Sequence, residues 1–207
     1  MQIALLTATA LCALVNWWSR LTNSDRVEAW AKPLTTMLVI GLAIANESPT
    51  GLIATAVIAL VFCLWGDIAL MAPIDNFVLG LASFLIGHVV FIALFVQFGM
   101  PHAALGGVAL ALMTALAATA GRRIVHGAVA KDPALRVPVI AYLVVISMMT
   151  VFGWATGRGW VIAGATLFVI SDSLLGWRAF VHERSWMAVA VMVTYHAAIV
   201  SLAFSLW

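Results

Sequence analysis

Residues 76–121 read NFVLGLASFLIGHVVFIALFVQFGMPHAALGGVALALMTALAATAG and contain no Asp, Glu, Lys or Arg. An uncharged apolar run of about 18 residues or more is typical of a bilayer-spanning helix, because roughly 20 residues at 1.5 Å rise cross a hydrocarbon core about 30 Å thick. The segment Gly99-Met100-Pro101-His102 interrupts this run with residues that favour a turn. The run therefore predicts two transmembrane helices, 76–98 and 102–120.

The composition of the whole chain agrees with this interpretation. Of its 207 residues 65% are hydrophobic and 9% are charged, whereas a soluble domain carries roughly 25% charged residues. The apolar runs are continuous rather than alternating, which favours helices over a membrane β-barrel. We predict an all-α polytopic membrane protein with about eight transmembrane helices in one domain, 1–207. The predicted spans are 2–18, 33–50, 51–71, 76–98, 102–120, 137–155, 159–178 and 186–206.

The Lys and Arg residues predict the orientation. Arg158 lies on one side of the predicted bundle, and the other nine lie in the first, fifth and seventh connections on the opposite side. Because cytoplasmic connections carry an excess of Lys and Arg, we expect both termini on the non-cytoplasmic side of the cell membrane. The first apolar run lacks a basic region before it, so we expect it to be retained as a span and not cleaved as a signal peptide. The nine residues are Arg20, Arg26, Lys32, Arg122, Arg123, Lys131, Arg136, Arg178 and Arg184.

Two short segments are similar to one another. Residues 65–70, WGDIAL, have a counterpart in residues 170–175, ISDSLL, and a histidine follows each aspartate 21 to 24 residues later. Four spans per half would give both halves the same orientation, as in the parallel repeats of some transporters. The pattern predicts two parallel four-helix repeats, although chance similarity is also common in so apolar a chain.

Of the eight acidic residues, Asp67 and Asp172 are the two predicted to lie inside spans and away from the membrane interfaces, whereas Glu47 in the second span is placed at the far interface. A carboxylate at the bilayer centre costs about 2.5–3.5 kcal/mol on insertion scales, so such groups usually face a cavity and have a function. Both aspartates are predicted to lie in the cytoplasmic half of the membrane. We therefore expect both aspartates to face a common cavity there and to have a function.

Seven further polar residues are predicted to line the same pocket and bind a substrate. Lys32 is predicted to open the second span from the cytoplasmic side, where it could hold a lipid phosphate. Each prediction has a structural alternative: Asp67 as an ion-pair partner of Lys32, Asp172 as part of a helix-packing patch, and the histidines as packed side chains. The seven residues are Lys32, Asn76, His88, Tyr142, Ser171, Tyr195 and His196.

Two carboxyl groups in a pocket of low dielectric constant tend not to ionise together, which leaves an acid beside a base. Such a pair suits hydrolysis of an acid-labile bond in a lipid. It equally suits a proton-coupled transporter of a small amphiphile. A third alternative is a lipid-binding or structural membrane protein. The sequence has no Walker, HExxH or GxSxG motif and no metal-ligand spacing. We expect no metal, no cofactor and no nucleic-acid partner, and no feature of the sequence defines an oligomeric state.

Four motifs resemble those of the YhhN/TMEM86 family of membrane lysoplasmalogenases: Lys32-Pro33-Leu34, Gly66-Asp67-Ile68-Ala69-Leu70, the Phe77/Gly80/Phe84/His88 pattern and Ser171-Asp172-Ser173-Leu174. The resemblance implies an eight-helix fold, with Asp67 and Asp172 as the catalytic pair. It implies hydrolysis of the vinyl-ether bond of lysoplasmalogens, releasing a fatty aldehyde and a glycerophospho-base.

The sequence departs from the family pattern at two places. Phe91 stands where the family usually has a tyrosine, and Thr194-Tyr195-His196-Ala197-Ala198 replaces a Tyr-Tyr-x-Ala-Gln motif. The polar groups lost here concern headgroup or substrate preference, and they leave the acid pair in place.

Overall fold

The computed structural model describes residues 2–207, which form helices and no β-strand. Eight helical segments within this range are long and apolar enough to cross a bilayer, which confirms the prediction of an all-α polytopic membrane protein. The α-helices are α1 (Gln2–Leu21), α2 (Asp25–Ile44), α3 (Thr50–Ala69), α4 (Phe77–Phe98), α5 (Ala103–Leu116), α6 (Arg122–Lys131), α7 (Arg136–Ala155), α8 (Gly159–Phe180) and α9 (Met187–Phe204).

The predicted ends of two spans are wrong. The second helix begins at Asp25 and ends at Ile44, so Pro33 lies inside it. The fifth span does not stop at 120, because a π-helical turn, Ala117–Gly121, joins α5 to α6 and the helix continues to Lys131. In both cases we predicted that a polar segment was a connection, but charged residues near a membrane surface can be helical. Asp25 and Glu28, for example, lie in the first turn of α2, where the helix dipole favours negative charge.

Contacts between the connections show that successive spans run antiparallel. The side chain of Gln2 donates a hydrogen bond to the carbonyl of Ala45 (3.0 Å), and Arg158 donates one to the carbonyl of Ser205 (3.2 Å), so these connections share one end of the bundle. At the opposite end, the ring of Phe77 packs edge-on against Phe180, with 5.1 Å between centroids. We call this second end, with connections 22–24, 70–76, 132–135 and 181–186, the basic end.

Small residues allow the helices to approach closely in pairs. A Cβ atom added to Gly87 would lie 3.2 Å from the carbonyl oxygen of Ala59, where α4 crosses α3. One added to Gly164 would lie 3.1 Å from the carbonyl oxygen of Ala198, where α8 crosses α9. In lipid such close packing replaces the hydrophobic effect as the force that joins helices. Large apolar side chains on the outer faces, such as Leu11, are exposed and face the hydrocarbon.

The two halves of the chain pack their helices in the same order. In the first half α1 packs on α2 and α3 on α4; in the second, α5 packs on α7 and α8 on α9. The separation of Pro33 from Asp67 also equals that of Pro138 from Asp172. The internal repeat stays a prediction, which this arrangement supports.

Candidate active site

Asp67 is fully buried in the last turn of α3 and is surrounded by three donors. Its Oδ2 atom accepts hydrogen bonds from the hydroxyl groups of Thr36 (2.6 Å) and Tyr195 (2.8 Å). The Nζ atom of Lys32 lies 3.4 Å from its Oδ1 atom. Lys32 and Thr36 are four residues apart on α2 and therefore share one face of that helix. Asp67 thus joins α2, α3 and α9.

The structure corrects the prediction for Lys32. The residue does not open the second span at the membrane surface; it lies seven residues after Asp25, where α2 begins, and is 5% exposed. A buried charge requires a partner because its desolvation cost is large, and the carboxyl group of Asp67 supplies that partner. Lys32 is therefore not placed to bind a phosphate group at the surface.

Asp172 has a different environment. The hydroxyl group of Tyr142 donates a hydrogen bond to its Oδ2 atom, and Nε2 of His88 lies 3.9 Å from the same atom. No Lys or Arg of residues 2–207 forms an ion pair with it. His88 is fully buried, and neither of its ring nitrogens has a hydrogen-bond partner within the described chain. Asp172 is therefore a partly buried carboxyl group, 13% exposed, without a Lys or Arg beside it.

A group of aromatic rings separates the two carboxyl groups. The ring of Phe168 lies edge-on to His88 (4.6 Å between centroids) and to Tyr195 (5.6 Å). Within residues 2–207 no side chain donates a hydrogen bond to both aspartates. The two clusters meet at Phe168, because His88 lies beside Asp172 and Tyr195 bonds to Asp67. The structure brings the predicted pair into one region, but as two adjacent clusters.

The two clusters are built alike, with one exception. Each aspartate accepts a hydrogen bond from the second span of its own half, Thr36 for Asp67 and Tyr142 for Asp172. Each also has a neighbour from the last span of the other half, Tyr195 or His88. The exception is Lys32. If Pro33 of the first half corresponds to Pro138 of the second, the residue that corresponds to Lys32 is Val137, which is apolar and 74% exposed. A positive charge is therefore present in one cluster and absent from the other.

Asp172 and Tyr142 line a cavity between α4, α5, α7 and α8, and Asp67 does not. Its other walls are mostly apolar and include Phe84 and Ile146. The cavity volume is about 60 Å³, which is more than one water molecule needs and less than the roughly 300–1,000 Å³ of typical ligand pockets. The structure therefore gives Asp172, and not Asp67, direct access to a space between the helices.

Three residues predicted to bind a substrate lie outside both clusters. Asn76 is exposed, and its side chain caps α4 by accepting a hydrogen bond from a backbone N–H group three residues on. The hydroxyl group of Ser171 donates to the carbonyl of Val191 (3.1 Å) and joins α8 to α9. His196 accepts a hydrogen bond from the indole of Trp17 (3.0 Å), so it faces α1. Ser171 and His196 each adjoin a cluster residue in sequence but point to another face of their helix. A substrate contact of the three residues stays a prediction.

Two residues of the site were not predicted. Thr36 follows Lys32 by one helical turn, so the helical period placed it on the same face as a residue already predicted. Phe168 has no polar group, and only its position between His88 and Tyr195 distinguishes it from the many other apolar residues of α8.

The fold and the two carboxyl clusters define the class: a polytopic helical membrane protein with two aspartates inside its helix bundle. The YhhN family model matches residues 27–206, and the chain belongs to the YhhN family. It is 32% identical to lysoplasmalogenase TMEM86B of Rattus norvegicus over 144 residues, which is 68% of this chain and 56% of the rat protein. It is 29% identical to lysoplasmalogenase TMEM86B of Sus scrofa over 181 residues, 86% of this chain and 75% of the pig protein.

The resemblance inferred from the four motifs is thereby confirmed. The match spans about half the length of the rat relative. No solved structure matches the chain.

Proposed function

We propose that this protein is a membrane hydrolase that cleaves the vinyl-ether bond of lysoplasmalogen-type lysophospholipids. The observation that carries the proposal is the position of Asp172, a partly buried carboxyl group that lines a mostly apolar cavity. The names of the two relatives support the same substrate class. Acid cleavage of such a bond requires a proton donor beside the lipid chain, and the apolar cavity lined by Asp172 could hold the start of that chain.

The reaction needs one proton donor and one water molecule. Protonation of the β-carbon of the vinyl ether converts the double bond to an oxocarbenium ion, whose cationic carbon is bonded to the ether oxygen. Water adds to that carbon and loses a proton, which regenerates the acid. The resulting hemiacetal breaks its carbon–oxygen bond to the glycerol, giving a fatty aldehyde and a glycerophospho-base. The consumption of one water molecule balances the reaction, and it needs no metal, redox partner or covalent intermediate.

Asp172 is the proposed proton donor and acceptor. We assign this role to Asp172 because it lines the cavity and has no Lys or Arg beside it, whereas Asp67 is held next to Lys32. The hydrogen bond from the hydroxyl group of Tyr142 to Oδ2 orients the carboxyl group of Asp172. The Nε2 atom of His88 lies 3.9 Å from the same Oδ2 atom. General acid–base catalysis of this kind contributes about 10²–10⁴ in rate.

Asp67 is the proposed ionised partner. Its Oδ2 atom accepts two hydrogen bonds, and Lys32 lies beside Oδ1, so its negative charge is held in place. A fixed charge stabilises an oxocarbenium-like transition state without reorganisation during the reaction. Asp67 acts on the substrate through this charge, because it does not line the cavity.

We further propose that residues 1–207 act as a single domain in the cell membrane with both termini on the non-cytoplasmic side. Of the ten Lys and Arg residues, Arg158 is found at the end opposite the basic end, in the connection that contacts Ser205. The excess of Lys and Arg at the basic end supports a cytoplasmic position for that end. The catalytic cavity would then open towards the cytoplasmic leaflet.

The test is mass spectrometry of purified protein incubated with lysoplasmalogen and, separately, with an ester lysophospholipid. We expect free aldehyde from the first and no fatty acid from the second. Asp67→Asn and Asp172→Asn should each abolish aldehyde release while the protein still elutes as a folded species in detergent. Asp25→Asn, an exposed carboxyl group outside the site, should retain activity.

Retained activity in either site variant would remove that aspartate from the mechanism. Absence of aldehyde with wild-type protein, together with pH-gradient-dependent uptake of an unchanged amphiphile into proteoliposomes, would replace the hydrolase by the transporter alternative.

A further inference from the structure

A larger groove adjoins the cavity of Asp172. Its volume is about 1150 Å³, and α5, the π-helical turn, α6 and α7 form its walls. Met113, Gly121, Leu143 and Ser147 line both spaces. The groove and the catalytic cavity therefore share a wall, and the groove is large enough for much of a single-chain lipid.

The groove is polar at one end and apolar at the other. Towards the basic end it is lined by Arg122, Arg123 and His126. Both arginines are exposed, and neither forms an ion pair with a carboxylate of residues 2–207. The guanidinium group of Arg123 lies over the ring of Trp177, 5.7 Å from its centroid, which holds it at the groove.

The other end of the groove carries apolar side chains that are partly exposed, including Leu110, Val144 and Met148. From Leu110 to His126 the helix extends about 24 Å at 1.5 Å per residue. A groove of this length, with charge at one end and hydrocarbon-like walls along the rest, is complementary to a molecule with one anionic head and one hydrocarbon chain.

Helix packing places the arginine end close to Asp172. Gly127 lets α6 approach α8, because a Cβ atom added there would lie 1.9 Å from the carbonyl oxygen of Phe180. Ile124, next to Arg123, packs against Gly176, where an added Cβ would be 3.2 Å away. Gly176 is about one helical turn from Asp172 on α8, roughly 6 Å along the axis. Arg123, over Trp177, and Asp172 therefore lie along the same stretch of α8.

We propose that Arg122 and Arg123 bind the phosphate group of the lysophospholipid whose vinyl ether reaches Asp172, an inference that rests on the proposed function. Guanidinium groups bind phosphate oxygens through paired, charge-assisted hydrogen bonds. The vinyl-ether carbons reach Asp172 across the shared wall at Gly121 and Leu143, and the remaining hydrocarbon chain lies along the apolar end of the groove. These arginines supply the phosphate contact that Lys32, paired with Asp67, does not.

The test compares two double variants that remove the same charge from the same end of the bundle. Arg122→Gln/Arg123→Gln removes the groove arginines, and Lys131→Gln/Arg136→Gln removes two exposed cations that do not line the groove. We expect the first variant to raise KM for lysoplasmalogen about tenfold or more with little change in kcat. The second should leave KM within about twofold. A 1-alkenylglycerol without phosphate should be cleaved equally by wild type and both variants.

Binding without turnover separates this inference from the proposed function. The probe is a saturated alkyl-ether lysophosphatidylcholine, with the phosphate-free alkylglycerol as its comparator, and tryptophan fluorescence is the readout because Trp177 lies at the groove. Weaker binding of the phosphate-bearing probe to the groove variant alone supports the site, even if wild-type protein releases no aldehyde. Equal losses of probe binding in both double variants would overturn the proposal in favour of a general effect of surface charge. Binding of a diacyl phospholipid as strongly as the probe would overturn it in favour of an annular lipid.

Discussion

The Nζ atom of Lys32 lies 3.4 Å from Oδ1 of Asp67, and the two side chains are only 6% and 1% exposed. This buried ion pair stabilises the helix bundle chiefly because each charge has a partner of opposite sign, since a buried charge without a partner is strongly destabilising. Since it joins α2 to α3, it also holds Thr36 at the same carboxyl group.

Replacement of one partner of this pair should destabilise the protein. We expect Lys32→Met to lower the free energy of unfolding by about 3–5 kcal/mol, because it leaves a buried carboxylate without its cation. Lys32→Met/Asp67→Asn should recover part of this loss but no activity. Thermal unfolding in detergent measures both, with Lys131→Met, an exposed lysine, as the control. A wild-type melting temperature for Lys32→Met would show that the pair is not structural.

The two tyrosines that bind the aspartates should have different effects when their hydroxyl groups are removed. Tyr142 donates to the aspartate that lines the cavity, and Tyr195 to the one that does not. We expect Tyr142→Phe to lower kcat about tenfold or more with little change in KM, because the proton donor loses its orientation. Tyr195→Phe should instead lower the free energy of unfolding by about 1.5–3 kcal/mol, the contribution of a hydrogen bond to a charged group.

Steady-state kinetics and thermal unfolding of the two variants provide the comparison. Equal losses of kcat in both would contradict the assignment of proton transfer to Asp172 alone.

The close approach of α6 to α8 should not tolerate a methyl group. Gly127→Ala would place a Cβ atom 1.9 Å from the carbonyl oxygen of Phe180, a backbone atom that cannot rotate away. We expect a loss of about 1–3 kcal/mol, which is typical of overpacking, and a lower melting temperature. Gly107→Ala is the matched control, because nothing lies within 4 Å of its added Cβ; it should keep or raise the melting temperature, since alanine favours helix. Equal behaviour of the two variants would argue against this helix contact.

The predicted orientation can be tested with one cysteine added at either end of a Cys12→Ser variant, because the native Cys12 is partly exposed. Lys131 at the basic end and Glu47 at the opposite end are both exposed. We expect Lys131→Cys to react with a membrane-impermeant thiol reagent in inside-out vesicles, and Glu47→Cys in right-side-out vesicles, because the basic end faces the cytoplasm. The native Cys63 is buried and should stay unlabelled. The reverse pattern would invert the topology.

Hydropathy predicted much of the fold. The uncharged run from Asn76 to Gly121 predicted two spans that the structure contains, with one boundary displaced because α6 continues past Gly121 as a polar helix. The same displacement occurs at the start of α2. Both errors arise because hydropathy measures where a helix leaves the hydrocarbon and not where its backbone hydrogen bonds end.

The candidate site was predicted less completely. Asp67, Asp172, Tyr142, Tyr195 and His88 were recognised as polar groups inside spans, and the structure places them in two adjacent clusters. Ser171 and His196 have the same character in the sequence but face other helices. The cost of a polar group in lipid identifies such residues without showing which partner satisfies each one.

The membrane class, the number of spans and the presence of two unusual carboxyl groups could all be derived from the residues, because the bilayer acts on each segment independently of its neighbours. The division of labour between the carboxyl groups could not. It depends on which helix faces pack together: α2 turns Lys32 inwards to Asp67, while α7 presents Tyr142 to Asp172 beside a cavity. These are contacts between distant parts of the chain, and no local pattern encodes them.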